Sequence, residues 1–182
     1  RGLLAAMLCG LALAGCGSGD ELLTIGRVGR PGAPKALGLQ VNALRPDAAL
    51  IRSDLDAGRY QTAERRARAL VNLLSNSTDR QELADATDML VESLWRNGRS
   101  DRETRDLAAR ALSDRIALEG EAGDEVSVAL ANVGNAWLIA GEYSLAISAF
   151  ERSLAIRERV TGRQPVRLGD SLDDLARALM VA

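Results

Sequence analysis

The chain has 182 residues, 47% of them hydrophobic and 26% charged, with a formal net charge of −2 and no His. That length and apolar content support one domain with a real core. The missing basic excess excludes nucleic acid as the main partner, and the missing His removes the commonest general base and metal ligand. Both cysteines, Cys9 and Cys16, fall in the first sixteen residues, so the rest of the chain has no thiol for a disulfide, a zinc site or a nucleophile. No catalytic residue, metal site, cofactor or small-molecule substrate is therefore expected. The chain opens at Arg1 and stops at Ala182 inside a hydrophobic pattern, which reads as a fragment open at both ends.

Leu3 to Leu13 is almost wholly apolar and follows Arg1. The run is shorter than the ~20 residues a bilayer span requires and fits the apolar core of a secretory signal over residues 1–15. It ends in Leu13-Ala14-Gly15-Cys16, which resembles the lipobox of bacterial lipoproteins; Cys9, after Met7-Leu8, lacks the small residues that motif needs. The resemblance implies that Cys16 is acylated and becomes the N-terminus, with two or more acyl chains holding the protein stably at a membrane. Gly17 stands where Asp would favour inner-membrane retention in enterobacterial lipoproteins, so the outer membrane, facing the periplasm, is expected. The alternative is an ordinary signal peptide cleaved nearby or an uncleaved anchor. Residues 16–45 hold six glycines with Pro31 and Pro34 and no lasting periodicity, and read as a flexible tether.

From Pro46 to Ala182 the pattern turns helical and repeats itself. Gly58-Arg-Tyr60 recurs as Gly98-Arg-Ser100 and Gly141-Glu-Tyr143, at intervals of 40 and 43 residues. The apolar anchors Leu50, Leu90, Val133 and Leu175 recur at 40, 43 and 42. Each unit reads as two helices around its Gly turn. First helices are expected near 47–57, 82–97, 125–140 and 167–181, and second helices near 60–74, 101–117 and 143–160. Thr78-x-x-Gln81 and Ser100-x-x-Glu103 read as capping boxes, and Asp124 as the cap of the third pair. The three turn glycines lie just past a helix end, where the left-handed conformation favours Gly.

Within the third unit, Leu130-x-x-Val133-Gly134-x-x-Trp137 followed by Gly141-x-Tyr143-x-x-Ala146-x-x-x-Phe150 closely resembles the tetratricopeptide motif. Small residues at Gly134 and Ala146 let two helices cross closely, with Trp137, Tyr143 and Phe150 filling the gaps. The other units match less fully: the first keeps Gly58, Tyr60 and Ala63, the second has Ser100 in place of Tyr and needs a one-residue shift to align Ala111, and the fourth ends after Leu172-x-x-Leu175-Ala176-x-x-Leu179. The segment Leu154 to Gly162 is similar to the longer repeats of kinesin light chains. The fold class expected is thus all-α: an αα-solenoid of about three and a half tandem tetratricopeptide-like hairpins, after a signal peptide and tether.

In such arrays the first helix of each pair lines the concave side. The resemblance implies that Asn132 and Asn135, at the sixth and ninth repeat positions, contact a peptide backbone, since an amide both donates and accepts. The matching ninth positions are Arg52, Glu92 and Arg177, and the two arginines suit an acidic side chain or a carboxylate. Arg65, Arg66 and Arg68 read as a solvated helix face, the alternative being contact with anionic headgroups near the tether; Asp170, Asp173 and Asp174 read as a solvated face with the acid preference of a helix N-terminus, and Trp95 and Trp137 as packing residues. The function expected is a non-enzymatic, membrane-anchored scaffold that binds proteins or peptides. Two alternatives stay open: the recruiting arm of a larger enzyme, such as a CHAT-type peptidase, with its catalytic domain beyond Ala182, or an envelope-assembly or secretion-accessory lipoprotein.

Overall fold

The computed structural model describes residues 47–161 and 165–182. The signal segment, Cys9, Cys16 and the tether lie outside the described residues. Seven helices make up the described part: α1 (Ala48–Asp56), α2 (Tyr60–Leu74), α3 (Arg80–Arg96), α4 (Arg102–Glu119), α5 (Asp124–Ile139), α6 (Tyr143–Thr161) and α7 (Pro165–Val181). They pair as α1–α2, α3–α4 and α5–α6, with α7 as the first helix of a fourth unit.

Backbone geometry at the hairpin turns explains the repeated Gly. Gly58, Gly98 and Gly141 have φ of 70°, 75° and 79°, a region that costs a side-chain-bearing residue but not glycine. Each turn closes with the same two bonds. The N–H after the glycine reaches back to Asp54, Leu94 or Trp137, and the glycine N–H reaches Leu55, Trp95 or Leu138. This pair of bonds satisfies carbonyls that a helix end leaves orphaned.

The helix starts correct the sequence reading by one residue. Asp79, not Thr78, caps α3 by accepting the Glu82 N–H at 3.0 Å, and Asp101, not Ser100, caps α4 by accepting the Thr104 N–H at 2.8 Å. The backbone turns into the helix one residue later than the hydroxyl, so the aspartate stands at the cap, where its carboxylate also meets the positive end of the helix dipole. Those contacts, with Arg99 beside it, hold Asp101 down to about 2. Asp124 is the first residue of α5 rather than its cap; Gly123 stands at the cap position, with no side-chain bond.

Consecutive helices pack against each other, and in addition α1 meets α3, α3 meets α5 and α5 meets α7. The second helices make no matching backbone approach among the described residues. First helices therefore crowd together while second helices fan out, and the array is an αα-solenoid that curves toward its first helices. One core cluster joins Ile51 and Leu55 of α1 to Ala63, Ala67 and Leu70 of α2 and Leu90 and Leu94 of α3. Farther along, Phe150 and Ala146 of α6 pack with Ala178 of α7, with Trp137 and Leu175 against them.

A tight helix crossing falls at Gly134. A Cβ there would stand 2.5 Å from the Phe150 ring, so only glycine lets α5 and α6 approach this far. Two expected packing roles are corrected. Tyr143 is not enclosed in the crossing but 37% exposed at the start of α6, and Leu50 is 51% exposed, whereas its counterpart Leu90 is buried. The reason for Leu50 is positional: no preceding hairpin packs on α1 among the described residues. At the other end Leu168 and Ala178 of α7 are buried, while Leu172, Leu179 and Met180 face outward.

A candidate groove along the first helices

Residues of α1, α3, α5 and α7, with Arg157 of α6, line one groove of about 370 Å³. Arg52, Asn132, Asn135 and Arg177 all stand in its lining. Equivalent positions of successive units thus become neighbours in space, as a solenoid requires.

The floor comes from α5: Val128, Ala131, Asn132 and Asn135. Both asparagines are buried and hydrogen-bonded within the protein. The Asn132 carbonyl accepts from Trp95 Nε1 at 2.9 Å, and its amide donates to the Asp88 carbonyl at 3.5 Å. Asn135 donates to the Ala131 carbonyl at 3.0 Å and accepts from Arg177 at 2.7 Å. The amides therefore join α5 to α3 on one side and to α7 on the other. Trp95 is a packing residue, half-buried beside Val133, but it also carries this inter-repeat hydrogen bond.

Charges of opposite sign stand on the two sides of that floor. On the α1–α3 side, Glu92 accepts from Arg52 at 2.7 Å and from Arg96 at 2.9 Å, so two guanidinium groups share one carboxylate. Arg96 also lies over the Trp95 ring, 4.8 Å from its centroid, a favourable cation–π placement. On the α7 side, Arg177 pairs with Asp174, while Asp170 and Asp173 form no ion pair among the described residues. Burial raises the Asp174 carboxyl above its ordinary value, opposed by Arg177 and by an Asn135 hydrogen bond; Asp170 raises it further, and Arg96 lowers it from across the floor.

The other charged clusters are engaged in the fold. Arg66 pairs with Asp54, Arg68 with Glu64 and Glu103, and Arg65 donates to Thr62. Asp54 is buried and also accepts from Arg59 at 2.7 Å, which with Arg66 holds its carboxyl below the usual range. Among the described residues no group of His, Cys, Asp and Glu could hold a metal ion, and no helix is long and apolar enough to cross a membrane.

One buried network escaped sequence reasoning. Arg115 of α4 is almost fully buried and donates to Asp88 at 2.6 Å and to Asp85 at 2.6 Å, both on α3, with Glu119 at 3.5 Å. The second oxygen of Asp88 is buried without a partner. Burial pushes the Asp88 carboxyl up to about 6 in spite of Arg115. A charged residue in an otherwise polar helix face carries no sequence mark of burial. Glu92 did carry a signal: it shares the ninth repeat position with Arg52, and opposite charges at one repeat position are placed to pair.

No protein-family profile matches the chain, and no curated protein matches it. Among solved structures it is similar to a kinesin light chain from Podosopora anserina with nearly identical TPR-like repeats, at a TM-score of 0.63 and 21% identity. The likeness covers 76% of this chain, which spans 66% of that one. With the repeated turns and the groove already described, it establishes the fold of the described residues as a solenoid of tetratricopeptide-like helical hairpins.

Proposed function

We propose that this protein is a non-enzymatic scaffold that receives a segment of another protein in the groove along its first helices, while a lipid on Cys16 holds it at a membrane. The observation that carries the reading is the groove itself. It runs continuously over α1, α3, α5 and α7 and is open, polar and lined by charges of both signs, which suits an elongated partner better than an enclosed small molecule. Arg52 and Arg177 stand in its lining, and Asn132 and Asn135 form the floor over which the partner lies. Support for the anchor comes from Leu13-Ala14-Gly15-Cys16 after an apolar run. Its setting would be the bacterial envelope, with the lipid in the outer membrane and the repeats in the periplasm.

Two measurements test the two halves. A photo-crosslinking side chain is placed at Ala131 on the groove floor or at Ala109 on the exposed face of α4. Adducts to a partner are expected from the groove position and not from the outer one; adducts from Ala109 alone would refute the groove. Separately, Cys16→Ser is expected to shift the protein from the membrane fraction to the soluble fraction. Retention in the membrane would refute the lipid.

A further inference from the structure

We infer that the groove selects a zwitterionic partner, a peptide segment acidic at one end and basic at the other, by the charge of its side chains and not by gripping its backbone. The inference rests on the groove being the binding surface and goes further, to the chemistry of what enters.

Three observations lead there. The amides that would grip a backbone are already committed. Asn132 is tied to Trp95 and Asp88, and Asn135 to Ala131 and Arg177, with both side chains buried. A peptide backbone could reach what each amide has left over only through a side chain that is more than nine-tenths buried, and breaking a buried bond to gain access without full replacement costs as much as it returns. The charges on the groove walls, by contrast, are exposed and unbalanced. Arg52 and Arg96 share Glu92, leaving the α1–α3 end with an excess of positive charge. On the α7 side Asp174 is paired with Arg177, and Asp170 and Asp173 add two further carboxylates, so even with Arg157 of α6 in the same lining the α7 end keeps an excess of negative charge.

The third observation concerns the line along which the charges are ordered. Positive excess sits on the earlier units and negative excess on a later one, with the neutral α5 floor of Val128, Ala131 and the two asparagines between them. Arg96 is close enough to Asp174 to lower its pKa across that floor, so the two walls attract each other when nothing lies between. A segment of uniform charge would meet repulsion at one end of the groove. A neutral segment would screen the attraction and return nothing for it. A segment with acid toward Arg52 and Arg96 and base toward Asp170 and Asp173 satisfies both ends at once.

The test uses the full chain and three labelled peptides. One carries a Glu block and a Lys block separated by a short neutral spacer, the second has the same residues alternating, and the third has Gln in place of every charge. Anisotropy titrations at low salt are expected to show the block peptide bound roughly fivefold or more tightly than the alternating one, the sum of a few half-exposed ion pairs, and that preference should vanish at about 0.5 M salt. Asp170→Asn with Asp173→Asn should bring the block peptide down to the alternating one, while circular dichroism shows the helices intact. Equal binding of the block and alternating peptides, or no binding of the block peptide, overturns the inference.

A further variant, Ala131→Trp, fills the floor and separates the two readings. If it abolishes binding of all peptides while block and alternating peptides bind the parent equally, the groove stands and its charge selectivity falls. If the block peptide is preferred and Ala131→Trp leaves that preference unchanged, the peptide sits elsewhere and both readings fall.

Discussion

Asp88 faces Arg115 of α4, whose guanidinium also reaches Glu119, and feels the charges of Asp85 on its own helix and Glu125 on α5. One of its oxygens is held by Arg115; the other has no donor, and burial raises its pKa from 3.8 to about 6. The folded protein therefore keeps a proton that the unfolded chain releases between roughly pH 4 and pH 6, so this group's contribution to stability falls as pH rises through that window. The full effect of a shift that size is about 3 kcal/mol. Asp88→Asn should flatten the slope of stability against pH between 4 and 6, read as urea midpoints at several pH values. A slope as steep as in the parent protein would show that another group titrates there. Residues of this kind were the least legible in the sequence, because a buried Arg and an exposed Arg look alike in a helix as charged as α4. The groove residues were more legible: the 40–43-residue period aligned Arg52, Glu92, Asn135 and Arg177 before any coordinates. What the period could not show is that the asparagine amides are spent on Trp95, Asp88, Ala131 and Arg177, since those bonds depend on side-chain reach between helices.

At the scale of the element, the α5–α6 crossing is set by one missing methyl group. Gly134→Ala would drive a Cβ into the Phe150 ring, which is itself buried and has no solvent side to turn toward. The helix propensity gained from Ala, about 1 kcal/mol, is outweighed by an overpacking cost of roughly 1–3 kcal/mol in a crossing this tight. A lower urea midpoint is expected for Gly134→Ala than for the parent, and one at or above the parent's would mean that Phe150 swings aside without cost. The motif Gly134-x-x-Trp137 with Ala146 and Phe150 announced this contact, because small and large residues at fixed spacing are the trace of a close crossing. Helix starts were less visible. Thr78 and Asp79, or Ser100 and Asp101, stand side by side, and which one caps depends on a backbone turn of a few ångströms that composition does not fix.

For the molecule as a whole, helical periodicity and one repeated turn were enough to foresee a stack of hairpins, because such units bury their apolar faces only against neighbours. The position of each helix in that stack also sets its stability. Among the described residues, helices α3 and α5 each pack against four others, the next helix in each direction and a first helix before and after, whereas α1 and α7 each pack against two. Amide hydrogen exchange should be slowest in α3 and α5 and fastest in α1 and the C-terminal turns of α7, where Leu179 and Met180 are exposed. Uniform protection from α1 to α7 would instead mean that the stack opens as one unit.

The contacts between neighbouring first helices, Arg52 to Glu92, Trp95 to Asn132 and Arg177 to Asn135, each bridge close to one repeat, at 40, 37 and 42 residues. They act as stitches on the inside of a coil. Widening its bore means parting them, and the one that joins two opposite charges, Arg52 to Glu92, weakens as dissolved ions screen it. The coil should hence be stiffer in dilute buffer and slacker in brine, with its inner radius following the electrolyte.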